Sequence, residues 1–319
     1  MKVLGLSFGR KEGNCDILLK EALLGAEDSG AEIKFISLAG KNILACNGCF
    51  ACMAIREKTG HAGCVIKDDM AAIEKAILEA DAVIISAPVY SCGPTGKLKC
   101  LIDRMGISHD IAFSEAINER RMEEGKSGDE LLDPQLFKDR FLGLISVGGA
   151  TEEHWTSMGL PNMHLFAFSM QMPVIDHYSA YDLNLMVSPV LNEKLIARMN
   201  LLGKNVTAAI GTPKYEAAWK GDKDGICPGC HNDLLRIHDG THIECPICGM
   251  KGTISIVDGK VKANFAESEL EHSRMRFGGI QEHYLELTSI QERIPNEIKA
   301  QIPTIKEKLK RYEGIISEI

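Results

Sequence analysis

Short apolar runs alternate with amphipathic segments over the first two hundred or so residues of the chain. Continuous apolar runs of this length are typical of strands in a parallel sheet that is covered on both faces. The five runs lie at Val3–Phe8, Ile33–Leu38, Ala82–Ser86, Phe141–Val147 and Met172–Ile175. Because helical patterns separate them, the sequence predicts an α/β domain with a doubly wound, five-stranded parallel sheet.

The predicted helices occupy the segments in which apolar residues recur with helical spacing. They are expected at Ile17–Ala26, from Asp68 to Leu78, at Lys97–Met105, near 154–170 and at Glu193–Ile210. A polar insertion at about 106–139 separates the third of these helices from the fourth strand. Two interpretations of the insertion stay open, a solvated helical excursion and a lid over an active site.

The remainder of the chain has a different pattern. Residues 1–211 are predicted to form the α/β domain, and a linker begins at Thr212. A small β module follows at 225–265, where Asp-Gly pairs mark hairpin turns. Residues 266–319 are expected to form a helical tail. Its last helix has an apolar face made of Ile305, Leu309, Tyr312 and Ile316.

Charge and hydropathy exclude two classes of partner. The formal net charge of the 319-residue chain is −8 and no long basic run is present. Phosphate binding needs clustered Lys and Arg, so nucleic acid is not expected as a partner. No apolar stretch reaches the ~18 residues that span a bilayer, and charged residues end the N-terminal apolar run too early for a signal peptide. The sequence therefore predicts a cytoplasmic protein with no membrane partner.

The chain has eleven cysteines, and several of them are closely spaced. Reduced thiols at close spacing indicate metal binding or redox chemistry. Two Cys-Pro-x-Cys motifs, Cys227 to Cys230 and Cys245 to Cys248, are separated by fourteen residues. Two such knuckles predict a tetrahedral four-sulfur site formed by Cys227, Cys230, Cys245 and Cys248. Structural zinc is favoured over a rubredoxin-type iron, because the module is poor in aromatic residues. It would supply stability that a module of this size lacks.

A second set of cysteines follows the second strand. Two residues separate each neighbouring pair among Cys46, Cys49 and Cys52, and eleven residues separate Cys52 from Cys64. Thiolates at this spacing can surround a [4Fe–4S] cluster. Two other interpretations of this cysteine-rich loop at 44–64 stay open, a thiol loop with one or two redox-active cysteines and a structural loop.

Three loops at the ends of predicted strands have the composition of a flavin site. Residues 7–15 bring hydroxyl, amide and backbone N–H donors to a helix N-terminus, which favours an anion. In residues 87–97, two prolines stiffen the backbone beside the central crevice. In residues 146–152, two glycines permit a close approach of the backbone.

The joint pattern resembles the NADPH-dependent FMN reductases of the flavodoxin-like superfamily, and most of all the iron–sulfur flavoproteins. The motifs that carry the resemblance lie within about 1–211: Gly13-Asn14, the cysteine-rich loop, Asp68-Asp69-Met70, Pro88-Val89-Tyr90, Lys99 to Asp103-Arg104, and Gly148-Gly149. The resemblance implies a flavodoxin-like sheet of order 2-1-3-4-5, bound FMN, and a [4Fe–4S] cluster on the cysteine-rich loop. It also implies a homo-oligomer.

The same resemblance implies which residues hold the flavin. The FMN phosphate would be held by Ser7, Arg10, Asn14 and Cys15, with Cys15 in the place of the family's usual Thr or Ser. The ring or ribityl chain would contact Pro88, Val89, Tyr90, Ser91 and Gly93, and the far edge of the ring would contact Gly148 and Gly149. Catalytic residues are not identified by the pattern, and His154, His177 and Tyr90 are the candidates.

The function expected from these features is an FMN-dependent oxidoreductase. It would move electrons from NAD(P)H or a ferredoxin-like donor, directly or through the cluster, to a small organic or quinone-like acceptor. The alternative is a non-catalytic flavin and iron–sulfur electron carrier that docks a redox protein partner through the zinc module.

Overall fold

A parallel sheet forms the centre of the protein, as a computed structural model shows. Its strands are β1 (Lys2–Ser7), β2 (Glu32–Ser37), β3 (Ala82–Tyr90), β5 (Phe141–Val147) and β6 (Val174–Ala180). They lie in the order β2-β1-β3-β5-β6, and a short strand β4 (Gly93–Pro94) pairs antiparallel with the end of β3. This order is the one expected for a flavodoxin-like sheet, so the predicted fold class is confirmed.

The structure describes residues 1–315, apart from the side chain of Asn296, so Ile316 of the predicted tail helix lies outside the described part. Contacts divide the chain into two units, Met1–Ile280 and the segment that begins at Gln281. The three-part division into 1–211, 225–265 and 266–319 stays a prediction. Among the described helices, none is both long and apolar enough to cross a membrane.

Two helices cover one face of the sheet, α1 (Asn14–Asp28) and α7 (Glu193–Ala209). Their backbones approach closely at two glycines. A Cβ atom at Gly25 would lie 2.0 Å from the Asn200 carbonyl oxygen, and one at Gly203 would lie 1.7 Å from that of Ala22. The buried side chains of this layer, such as Leu18 on α1, pack on the alternate residues of the strands.

The opposite face carries α3 (Met70–Glu79), α4 (Gly96–Met105) and α6 (Gly159–His164), whose apolar side chains form the second core layer. The segment near 154–170 is broken into short helical pieces, where the sequence predicts one helix. The break lets Gly159 lie against the sheet, where a Cβ atom would come within 2.3 Å of Ser146 Oγ.

The insertion contains α5 (Ile111–Glu123) and two 3-10 turns. It is partly buried, because Ile117, Leu132 and Leu136 form a small core with Ala62 of the cysteine-rich loop. The cysteine-rich loop itself has one helix, α2 (Ala51–Thr59). The insertion therefore packs on the cysteine-rich loop.

The small module contains a second, antiparallel sheet of four strands in the order β10-β9-β8-β7. The strands are β7 (Arg236–Ile237), β8 (His242–Glu244), β9 (Lys251–Val257) and β10 (Lys260–Phe265). Both predicted Asp-Gly pairs lie in the turns between them. The tail is helical as expected, with α8 (Phe277–Lys299) and α9 (Ile302–Leu309).

Candidate functional site

The loop between β1 and α1 forms the first wall of the predicted flavin site. A turn closes it, with the Gly13 N–H donating to the Arg10 carbonyl at 3.0 Å, and Glu12 adopts a left-handed conformation. Gly13 precedes α1 without any side-chain cap, so the N–H groups of the first turn face the loop. Uncapped N–H groups at a helix N-terminus fit an anionic group such as the FMN phosphate.

The side chains predicted to bind the phosphate have different surroundings. The side chain of Arg10 is exposed and, within residues 1–315, forms no hydrogen bond or ion pair. The Asn14 amide donates to the Leu183 carbonyl at 3.0 Å, which ties this loop to the chain after β6. Burial raises the pKa of Cys15 to about 12, so that side chain is a neutral thiol.

Ser7 binds the carboxylate of Asp16, a residue that the sequence pattern did not identify. Its hydroxyl is fully buried and donates to Asp16 Oδ1, and the Glu12 N–H donates to Asp16 Oδ2 at 2.8 Å. Asp16 thereby joins the end of β1 and the loop to the first turn of α1. An acidic residue in the first turn of a helix is the only sequence signal of this role.

The second wall is a hairpin that extends from the sheet. β3 continues to Tyr90, turns through Ser91 and Cys92, and returns as β4. Both turn residues have positive φ angles, 50° and 69°, which is the geometry of a type I′ turn and is uncommon for residues other than glycine. Tyr90 presents 57% of its surface to solvent at the tip of this hairpin.

The third wall follows β5. The Gly148 N–H donates to the Ala180 carbonyl at 2.8 Å, and a Cβ atom at Gly148 would lie 2.4 Å from Thr156 Cγ2. Gly148 is therefore fixed by packing, whereas Gly149 is exposed. The Met158 N–H donates to the Cys92 carbonyl at 3.2 Å, so this wall and the hairpin are connected. The structure thus brings the three predicted loops to the carboxyl edge of one sheet.

The two histidine candidates lie in different places. His154 is exposed after the third loop, beside the Trp155 ring and 3.3 Å from a Glu152 oxygen. His177 lies within β6, where its Nδ1 is 3.0 Å from His164 Nε2. Its ring meets Trp219 edge-on, and Trp219 stacks on His231 of the small module at 4.1 Å.

His177 therefore belongs to the contact between the sheet and the small module. Burial lowers the pKa of His177 to about 4, and it also places the pKa of the fully buried His164 well below its usual range. Both rings are neutral at physiological pH. His177 is enclosed because β6 continues past it to Ala180, whereas the sequence predicts that this strand ends before it.

Four thiols converge in the small module. The Sγ atoms of Cys227, Cys230, Cys245 and Cys248 all lie within 4.8 Å of one another and are buried. Cys227 and Cys248 are 3.4 Å apart, and Cys230 and Cys245 are 3.5 Å apart. In a tetrahedral zinc site with Zn–S bonds of about 2.3 Å, sulfur atoms are separated by roughly 3.8 Å. The donor set therefore fits a tetrahedral metal ion.

The cysteine-rich loop is more open. Cys46 and Cys49 are exposed on a stretch without helix or strand, Cys52 lies on α2, and Cys64 is half-buried. In the part of the chain that the structure describes, the only group of three or more metal-ligand side chains in mutual reach is the four-cysteine site of the small module. The [4Fe–4S] assignment stays a prediction.

The fold and the three loops define a class of protein, the flavodoxin-like oxidoreductases that act through a bound flavin. Comparison with known proteins is more specific. The family model described as NADPH-dependent FMN reductase matches residues 1–185, so the chain belongs to that family. It is a flavin-dependent oxidoreductase, and FMN is the cofactor that the family supports.

The chain is also similar to individual proteins. It is 29% identical to the flavone synthase cfoJ of Aspergillus candidus over 295 residues, which are 90% of this chain and 88% of that protein. It is 43% identical to the iron-sulfur flavoprotein MJ1083 of Methanocaldococcus jannaschii over 105 residues, which are 33% of this chain and 51% of that protein. A solved structure titled flavone reductase matches with a TM-score of 0.82 and 25% identity, covering 100% of this chain and 99% of that one.

Proposed function

We propose that the protein reduces the conjugated double bond of a planar aromatic ketone of the flavone type, with NADH or NADPH as the electron donor. The observation that carries this proposal is the likeness to a flavone reductase along the whole chain, small module and tail included. The relative that matches along 90% of this chain is named a flavone synthase, so its name supports the flavone class of compound but has flavone as the product. Flavone is one member of the class of small organic acceptors that the sequence predicts.

FMN supplies the two-electron chemistry when it is bound, because its ring accepts and donates hydride. The phosphate would be held by the uncapped N–H groups of α1 and by Arg10, whose side chain has no competing partner among the described residues. The hairpin at Ser91 and Cys92 and the packed Gly148 would present rigid backbone to the ring and so help to orient the flavin.

The acceptor would lie on the apolar surface beside these loops. Tyr90, Trp155 and Met158 are all substantially exposed there. Aromatic rings stack favourably on a planar acceptor, which supports a flavone-like ligand over a flexible one. His154 is the proposed proton donor, since it is exposed beside Trp155, whereas His177 is enclosed by the small module.

A second candidate function is electron transfer through a cluster on the cysteine-rich loop. It is favoured by the match to the iron-sulfur flavoproteins, of which the aligned chain covers about half the length. In this case a ferredoxin-like protein would be the donor. The four-cysteine site would hold structural zinc in either case, because four buried thiols in tetrahedral reach complete the ligand set and leave no position for a substrate.

The test is anaerobic turnover of flavone by the full-length protein loaded with FMN. With NADH or NADPH present, we expect a product two mass units heavier than flavone, measured by liquid chromatography and mass spectrometry. Flavanone, in which that double bond is already saturated, is the matched control and should be returned unchanged. Flavin reduction by either nucleotide with no change in flavone would contradict the acceptor. Reduction of the bound flavin by a ferredoxin, but by neither nucleotide, would favour the electron carrier.

A further inference from the structure

Two buried arginines, one within the cysteine-rich loop and one next to it, have buried N–H donors that form no hydrogen bond within the described residues. Arg56 is fully buried on α2, and Arg104 is 5% exposed on α4. Buried guanidinium groups normally have every N–H donor paired, since an unmade hydrogen bond of a charged group is costly. The unpaired donors of these two residues therefore need an explanation.

Arg56 uses only one of its nitrogens. Its Nη1 lies within 3.0–3.2 Å of three oxygen acceptors on the insertion, namely the Ser108 and Asp110 carbonyls and Ser114 Oγ. Its Nε and Nη2 are buried, and no acceptor within residues 1–315 pairs with them. Arg56 also follows Cys52 by one helical turn on α2, so the two side chains share a helix face.

Arg104 connects the two ends of the cysteine-rich loop. Its guanidinium pairs with the buried Asp68 and donates to the Leu44 carbonyl at 3.1 Å, two residues before Cys46. It also reaches the Ile66 carbonyl at 3.5 Å, two residues after Cys64. Its Nε is buried and has no acceptor among the described residues.

The fold thus places both arginines near the cysteines. Arg56 shares a helix face with Cys52, and Arg104 bonds the backbone two residues before Cys46 and two residues after Cys64. Thiolate and sulfide sulfur atoms accept N–H hydrogen bonds, and an iron–sulfur cluster with four thiolate ligands carries net negative charge. Buried positive charge and free donors are what such a group requires of its surroundings.

We propose that Arg56 and Arg104 are the hydrogen-bond donors to an anionic iron–sulfur cluster ligated by Cys46, Cys49, Cys52 and Cys64. The unpaired donors fit such a group, and the irregular stretch that carries Cys46 and Cys49 lets those thiols approach it. The proposal rests on the cluster of the second candidate function and not on the NAD(P)H reaction. Hydrogen bonds to cluster sulfur stabilise the reduced, more negative state, so they raise the reduction potential.

The test compares Arg56→Lys with the wild-type full-length protein after anaerobic reconstitution with ferrous iron and sulfide. Lysine keeps the positive charge and can serve the acceptors on the insertion, but it removes the unpaired Nε and Nη2 donors. Acid-labile sulfide reports the cluster alone, because iron in the four-cysteine site of the small module would bring no sulfide. We expect sulfide in wild type, and a more negative midpoint potential of the cluster in Arg56→Lys by electron paramagnetic resonance titration.

Arg121→Lys is the matched control. Arg121 is also buried and also joins the insertion to α2, but its Nη1 and Nη2 atoms are bonded to the Glu130 and Glu57 carbonyls. The midpoint potential of the cluster in Arg121→Lys should equal that of wild type. An unchanged potential in Arg56→Lys, or wild-type protein without labile sulfide, would overturn the proposal. Either result leaves the flavone assay unaffected, so the two hypotheses fail separately.

Discussion

At the scale of single residues, the contact between the sheet and the small module depends on uncharged histidines. His164 and His177 share one hydrogen bond, and Trp219 connects them to His231. Burial lowers the pKa of each of these three histidines. A proton added to any of them would place an uncompensated charge between the sheet and the module.

The stability of the protein should therefore fall as the pH falls from 6.5 to 4. The pKa of His177 is about 4 in the folded state and 6.5 for an ordinary histidine, so the unfolded chain binds more protons within this window. The stabilisation is complete above pH 6.5, and its loss amounts to about 3 kcal/mol for His177 by pH 4. Urea unfolding at pH 5 and pH 7 measures the difference.

His177→Gln should show a smaller pH dependence, because the titrating group is gone. The exposed His283 on α8 provides the control, since His283→Gln should retain the wild-type slope. If His177→Gln unfolds with the same pH dependence as wild type, another group causes the effect and the assignment to His177 is wrong.

Some residues of the site could be predicted from sequence because their signals are local. The Cys-Pro-x-Cys knuckles are recognisable by spacing alone, and their four thiols converge in the small module. Gly13 and Gly148 belong to short local motifs, and they lie in two of the loops at the carboxyl edge of the parallel sheet. The roles of Asp16, Arg56 and Arg104 could not be found in this way. Their roles depend on partners far apart in the chain, such as Arg104 and Asp68.

At the scale of elements, the strands were more predictable than the turns. β5 was predicted to the residue, because seven consecutive buried positions leave no alternative. β3 is four residues longer than predicted, since it continues past the sheet into the hairpin. The turn there is Ser91-Cys92, which lacks the Asn-Gly or Gly-Gly signal of a type I′ turn and was not recognised.

The small module should depend on metal. Cys245→Ser removes one of four ligands, and a module of this size has only a small core of its own. We expect this variant to lose its zinc, measured by elemental analysis, and residues 225–265 to become sensitive to protease. FMN should remain bound, because the phosphate loop at 7–15 uses other residues.

Cys100→Ser is the corresponding control, because Cys100 is a partly buried cysteine on α4 outside the four-thiol group. It should retain one zinc per chain. Stoichiometric zinc in Cys245→Ser would show that these four cysteines are not the ligands. Iron in place of zinc in the wild-type protein would correct the identity of the metal and leave the ligand set intact.

At the scale of the whole molecule, the chain combines a flavodoxin-like sheet with a metal-binding module and a helical tail. The sheet order and the membership in the FMN reductase family agree with the expectation from sequence. The proposed flavone-type acceptor could not be predicted, because the exposed loops that carry Tyr90 and Trp155 would select it. The exposed aromatic residues on these loops do not follow a recognisable pattern in the sequence.

The central claim is that the three loops bind one FMN per chain, with Arg10 as a phosphate ligand. Fluorescence titration of FMN tests it most directly, because flavin emission is quenched on binding. Wild type should bind one equivalent, and Arg10→Ala should weaken the affinity by roughly 10- to 100-fold through loss of a charge-assisted hydrogen bond. Lys11→Ala, a neighbouring exposed cation in the same loop, should bind FMN like wild type. Wild-type protein that leaves FMN fluorescence unquenched, or Arg10→Ala with wild-type affinity, would contradict the account.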